Sequence, residues 1–143
     1  MEIFKTFRFE SAHFLPNVPE GHKCGRMHGH SYRVDVHVAG DVDPRTQWVV
    51  DFAEIADAFA PVFDALDHRT LNEVPGLENP TCERLSVWMW ERLKPRLPGL
   101  SQIVVWETSR SGCVYRGEPV SAPRARGGGT RRRRPTRGRT PRR

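Results

Sequence analysis

The sequence predicts an α+β domain, a four-stranded antiparallel sheet with two helices on one face, in the order ββααββ. Three observations predict it. Residues 32–38 alternate strictly, with Tyr32, Val34, Val36 and Val38 on one side and Arg33, Asp35 and His37 on the other, which is the period of a half-buried strand. Two stretches, 52–63 and 85–93, place apolar residues at helical spacing. Two late apolar runs, 101–108 and 113–117, are split by the hairpin loop Ser109-Arg110-Ser111-Gly112.

The elements follow in order. Ile3–Phe9 is rich in aromatic and β-forming residues and reads as the first strand, extending toward His13. The alternating segment is the second, and a turn-rich connection (40–48) leads to a short apolar run, Trp48–Val50. Asp51 is placed to cap the first helix, whose apolar positions are Phe52, Ile55, Ala56, Phe59 and Phe63. Pro61 should kink or end it, since proline lacks the amide the helix needs. After a loop (71–81) ending in Asn-Pro-Thr, the residues Leu85, Trp88, Met89 and Leu93 form a second helical stripe, closed by Pro95 and Pro98.

A chain of 143 residues is one domain's worth and can bury a core unaided. Its three cysteines, Cys24, Cys82 and Cys113, are odd in number and widely spaced, which argues against a disulfide framework and for a reducing compartment. The N-terminus lacks an apolar signal core, and no run approaches a membrane span. A cytoplasmic location is the expectation. Charge is uneven. Ten of the 23 basic residues lie in 121–143, leaving 13 against 17 acids in residues 1–120, a net of −4. The arginine-, glycine- and proline-rich segment 121–143 is expected to be a disordered tail behind a domain of residues 1–120.

Chemistry concentrates in Cys24–Tyr32, which reads Cys-Gly-Arg-Met-His-Gly-His-Ser-Tyr. His28 and His30 are two apart and aim the same way on an extended backbone. Gly29 between them leaves the opposite face open to close approach. If residues 3–14 and 28–38 pair as a hairpin across the loop 15–27, His13 falls opposite this pair. Three histidines with an open fourth position describe a catalytic zinc site. His22 and His37 read as surface residues.

Cys24 has three readings: a fourth zinc ligand that closes the site, a small apolar residue, or a reactive thiol in a loop of Gly, His, Lys and Arg. Cys82 and Cys113 read as core residues. Asp67 and His68 are sequence neighbours that should point apart, so no direct bond is expected, although both can serve one proton-transfer network. Glu107 ends an apolar strand, where a carboxylate either emerges into solvent or accepts a forked pair of N–H bonds from a heterocycle.

Six segments in order, Phe9–Pro16, Glu20–Tyr32, Val49–Ile55, Leu66–Asn72, Gly76–Glu83 and Trp106–Glu118, together resemble the 6-carboxytetrahydropterin synthases of queuosine biosynthesis, relatives of the 6-pyruvoyltetrahydropterin synthases. The resemblance implies a tunnelling fold whose sheets join into a barrel, with two trimers stacked as a homohexamer and active sites between subunits. It implies Zn2+ held by His13, His28 and His30, Cys24 as catalytic thiol, Asp67 and His68 as its acid–base partners, and Glu107 as pterin anchor. The short spacing from Cys24 to His28 resembles the carboxy rather than the pyruvoyl enzymes. The implied substrate is 7,8-dihydroneopterin triphosphate, converted to 6-carboxy-5,6,7,8-tetrahydropterin with release of acetaldehyde and triphosphate. Lys23, Arg26 and His22 are the nearby cations for the triphosphate. Pyruvoyl synthesis is the alternative within the fold. A zinc-stabilised RNA-binding module, closed by Cys24 and using the basic tail, is the alternative from another class.

Overall fold

The computed structural model describes residues 1–120, so the arginine-rich tail lies outside the described residues. The first strand, β1 (Glu2–His13), and the second, β2 (His28–Ala39), pair antiparallel in an unbroken register from Glu2 opposite Ala39 to His13 opposite His28. Helix α1 (Phe52–Leu66), a two-residue strand β3 (Arg69–Thr70) and helix α2 (Cys82–Leu93) follow. Strands β4 (Leu100–Thr108) and β5 (Ser111–Tyr115) complete a sheet of order β3-β1-β2-β4-β5.

The sheet therefore has five strands, not the four expected. The extra strand, β3, runs parallel to β1 and pairs Arg69 with Ser11 and Thr70 with Ala12. No side-chain pattern can announce a two-residue strand. Backbone contacts create it: the His68 amide donates to the Glu10 carbonyl at 2.7 Å, and the Asp67 carboxylate accepts from the Glu10 amide at 3.0 Å. The end of α1 is thereby fastened to β1, and the chain leaves alongside it.

Both helices cover one face of the sheet, α1 over β1 and α2 over β4 and β5. Tyr32, Val34, Val36 and Val38 are all buried, as their alternation requires. Phe7 stacks on Phe59 at 4.0 Å between ring centroids, and Phe9 stacks on Tyr32 at 4.9 Å. The α2 stripe holds as expected, with Leu85, Trp88, Met89 and Leu93 buried. On α1 the stripe is displaced. Ile55 and Phe59 are buried with Ala58, Val62 and Leu66, while Phe52 and Phe63 stand at the surface. Leu66 extends the seam because α1 runs through Pro61, which sits on the exposed side where the carbonyl it leaves unpaired can meet water. Asp51 caps α1 by accepting from the Ala53 amide at 2.8 Å, and Thr81 caps α2 through the Arg84 amide at 3.2 Å.

The opposite face of the sheet is polar but not all exposed. Asp35 is buried and accepts bonds from Thr6 Oγ1 at 2.7 Å, Arg33 at 2.7 Å and Trp106 Nε1 at 3.1 Å. Burial alone would raise its pKa, yet these three donors and the charge of Arg33 outweigh burial and hold the carboxyl below the usual range. A depressed folded-state pKa contributes stability above the unfolded value, and that contribution is lost as pH falls through the folded value. Asp35→Asn should destabilise the protein by about 2 kcal/mol at neutral pH, the scale of bonds to a charged acceptor. Urea midpoints should show this gap between wild type and variant closing as the pH is taken below the carboxylate range.

Candidate active site

The β1–β2 register builds the centre of the site. Because His13 and His28 are cross-strand partners, and His30 lies two residues further along β2, all three imidazoles project from one end of the helix-covered face. Their candidate ligand atoms lie within 4.8 Å of one another. The expected close approach at Gly29 is made by β1 itself: a Cβ at residue 29 would sit 3.3 Å from the Ser11 carbonyl oxygen.

The hydrogen bonds fix the ring tautomers. His13 Nδ1 donates to the Pro80 carbonyl at 2.9 Å, and His28 Nδ1 donates to the Arg26 carbonyl at 2.8 Å. Both Nε2 atoms then carry lone pairs, and they face each other at 3.1 Å. Two lone pairs so placed repel unless a cation lies between them. Nitrogens bound to one tetrahedral zinc at ~2.0–2.1 Å would sit about 3.3 Å apart, so the donor set fits that ion. Burial, then the neighbouring imidazoles, lower the pKa values of His13 and His30, although the Pro80 carbonyl partly opposes this at His13. Both rings are thus held in the neutral form that ligates metal.

The histidines open into a cleft of about 620 Å³ that Cys24 and Glu107 also line. Cys24 sits on a single 3-10 turn (Lys23–Gly25) pinned at two points. His22 Nδ1 accepts from the Cys24 amide at 3.1 Å, and the Cys24 carbonyl accepts from the Leu15 amide at 2.8 Å. Among the described residues the donor cluster is His13, His28 and His30 alone, and Cys24 lines the cleft without joining it. Glu107 is half-buried near the end of β4. Burial first, then the charge of Glu83, raise its pKa, and His28 partly offsets them.

Asp67 and His68 stand elsewhere. Contrary to the expectation that they point apart, His68 Nδ1 donates to Asp67 Oδ2 at 2.7 Å. His68 has a left-handed backbone (φ 54), which turns its ring back over its neighbour. Bonds from the Glu10 amide and from His68 hold the Asp67 carboxyl below its usual range. The dyad's ring is exposed and lines a separate opening of about 490 Å³ with Glu10, Gly29 and His30. One chain therefore places the Cys24 thiol and the His68 ring on different openings that share His30.

The remaining readings fall into place. His37 stacks on Phe4 and lies 3.3 Å from Glu2, outside the site. Cys82 donates to the Val105 carbonyl at 3.3 Å, and burial chiefly, with the charge of Glu107, pushes its thiol up to about 12, so it stays protonated. Sequence reasoning missed the Pro80 and Arg26 carbonyls, because main-chain acceptors leave no mark in residue type. It also missed Tyr32 as a neighbour of the site, its hydroxyl 3.4 Å from His13 Nδ1, having read it only as a core residue.

Fold and site define an α+β domain with a three-histidine centre whose remaining side faces a cleft, the layout of a metal-dependent enzyme rather than of a closed structural site. The sequence pattern described as 6-pyruvoyl tetrahydropterin synthase matches residues 2–118, and the chain belongs to that family. A 6-carboxy-5,6,7,8-tetrahydropterin synthase from Synechocystis is 42% identical over 119 residues, covering 79% of this chain and 91% of the relative. A dihydroneopterin monophosphate aldolase from Pyrococcus furiosus is 34% identical, covering 60% of this chain and 75% of its own. The 6-pyruvoyl tetrahydropterin synthase of Caenorhabditis elegans superposes with a TM-score of 0.76 at 26% identity, covering 82% of this chain and 96% of that one.

Chelator-treated protein should bind Zn2+ at one site per chain. At a thousandfold excess over Kd, binding should stabilise the fold by about 4 kcal/mol, read as a rise in Tm. His28→Ala should abolish that rise while retaining the wild-type circular dichroism. An undiminished zinc-dependent shift in the variant would place the metal elsewhere.

Proposed function

We propose that the protein is a zinc-dependent lyase that converts 7,8-dihydroneopterin triphosphate and water to 6-carboxy-5,6,7,8-tetrahydropterin, acetaldehyde and triphosphate. The observation that carries this reading is the convergence of a thiol, three imidazoles and a carboxylate on one cleft. The 42% identity to a 6-carboxytetrahydropterin synthase supports it. We place the step in the cytoplasm, on the route to the 7-deazapurine of queuosine. No helix among the described residues is long and apolar enough to cross a membrane.

His13, His28 and His30 would hold the zinc, which when bound supplies Lewis-acid polarisation of the substrate's side-chain oxygens. Glu107 accepts two parallel N–H bonds from the pterin ring and fixes its orientation. Cys24, held by its backbone bonds at the mouth of the cleft, moves a proton to or from the side-chain carbons. Asp67 orients His68 by accepting its Nδ1 proton, which leaves Nε2 as the ring atom that can exchange a proton with substrate. Since His68 lines the other opening, we assign the dyad to the cleft of an adjacent subunit, in a barrel-forming trimer within a homohexamer.

Turnover of dihydroneopterin triphosphate by zinc-loaded protein, read as acetaldehyde and 6-carboxytetrahydropterin, tests the assignment. A pyruvoyl product would support the sister activity instead. Cys24→Ala should lower kcat by about 10²–10⁴-fold, the usual contribution of a proton-transferring group. Glu107→Gln should act mainly on KM. Co-expressed Cys24→Ala and His68→Ala chains should recover about a quarter of the wild-type rate, the fraction of interfaces that pair two intact residues. No recovery would place the dyad within its own chain's site.

A further inference from the structure

The sheet register orders the cleft along one axis. Arg33 pairs with Trp106, so Glu107 follows at the level of Tyr32 and faces the same side. Burial, then the charge of Glu107, push the Tyr32 hydroxyl above the ordinary tyrosine range, which agrees with this placement. Moving along β2 from Tyr32, the chain reaches His30 and then His28, about 13 Å away at a strand's rise per residue. Beyond His28 come Arg26 and Lys23, the lysine and arginine that line the cleft. The sequence of groups is thus carboxylate, histidines, cations.

The substrate proposed above has the same order: a pterin ring, a hydroxylated side chain and a chain of phosphates. Arg26 is held close to the centre because its own carbonyl accepts the His28 Nδ1 proton at 2.8 Å. Lys23 lies on the turn pinned by the Cys24 backbone bonds. Neither side chain has a carboxylate within salt-bridge distance among the described residues. Unpaired cations beside a cleft are available to an anion. His22, the third cation named from the sequence, is spent on the turn: its Nδ1 accepts from the Cys24 amide, and its side chain borders a different hollow.

We propose that Lys23 and Arg26 form the polyphosphate clamp of this site and set its preference for a triphosphate over a monophosphate ester. The inference rests on the pterin-ester reading above. With the ring at Glu107, the ester phosphate lies beside the histidines, and the second and third phosphates reach Arg26 and Lys23. The kinship with a dihydroneopterin monophosphate aldolase makes phosphate number a property on which members of this fold differ.

The test compares full-length wild type with the double variant Lys23→Gln/Arg26→Gln, both loaded with zinc. In the variant, KM for dihydroneopterin triphosphate should rise about tenfold or more, the scale of one lost bond to a charged group. The ratio of kcat/KM for triphosphate over monophosphate should fall by a similar factor. A second readout needs neither zinc nor turnover. Calorimetric titration of chelator-treated protein with inorganic tripolyphosphate should show a component in wild type that the variant lacks, and the arginine-rich segment common to both cancels in the difference. An unchanged ester preference, or equal tripolyphosphate binding by both proteins, would overturn the clamp. If wild type turned over no pterin ester yet the binding difference persisted, the clamp would stand and the proposed reaction would fall.

Discussion

The structure depends on one constraint, the unbroken pairing of β1 with β2 over twelve residue pairs. A strand has period two, so a slip of one residue would carry His13 to the opposite face from His28 and dissolve the donor cluster. What prevents the slip is distant from the histidine cluster. Phe7 against Phe59, Phe9 against Tyr32 and the buried valines of β2 all need their present face. Core burial, worth about 1.5–3 kcal/mol for each large apolar side chain, therefore sets the histidine geometry.

The same sheet distributes the other candidate site residues. β4 carries Glu107 to the level of Tyr32, and the pinned turn before β2 carries Cys24 to the cleft. The end of α1 goes to the far side of β1, where the Glu10 backbone holds Asp67 and His68. A single sheet thus presents Cys24 and His68 on two different openings.

Much of this was legible in the sequence. The alternation of residues 32–38 and the stripe Leu85, Trp88, Met89 and Leu93 have strong periods, and both segments are buried as read. The histidine cluster was legible because one hairpin assumption converts the His28-x-His30 spacing and a distant His13 into neighbours. The first helix was misread because its phenylalanines outweighed smaller residues: Ala58, Val62 and Leu66 face the core, while Phe52 and Phe63 do not. The two-residue β3 and the bonded Asp67–His68 pair were hidden for a different reason. Both follow from a left-handed backbone at a histidine and from main-chain bonds to Glu10, and neither leaves a trace in side-chain pattern.

The partners of His13 and His28 are main-chain carbonyls, those of Pro80 and Arg26, not carboxylates. A carboxylate partner can be lost by changing one base of a codon, whereas a carbonyl survives any replacement that keeps the backbone path. Genetic drift at positions 26 and 80 can therefore proceed without releasing the imidazole tautomers. The same substitutions would still alter what the side chain at 26 offers to the cleft. The orientation of the His28 ring and the side-chain charge at the cleft are thus encoded at one residue but inherited separately, so a lineage can change the second while keeping the first.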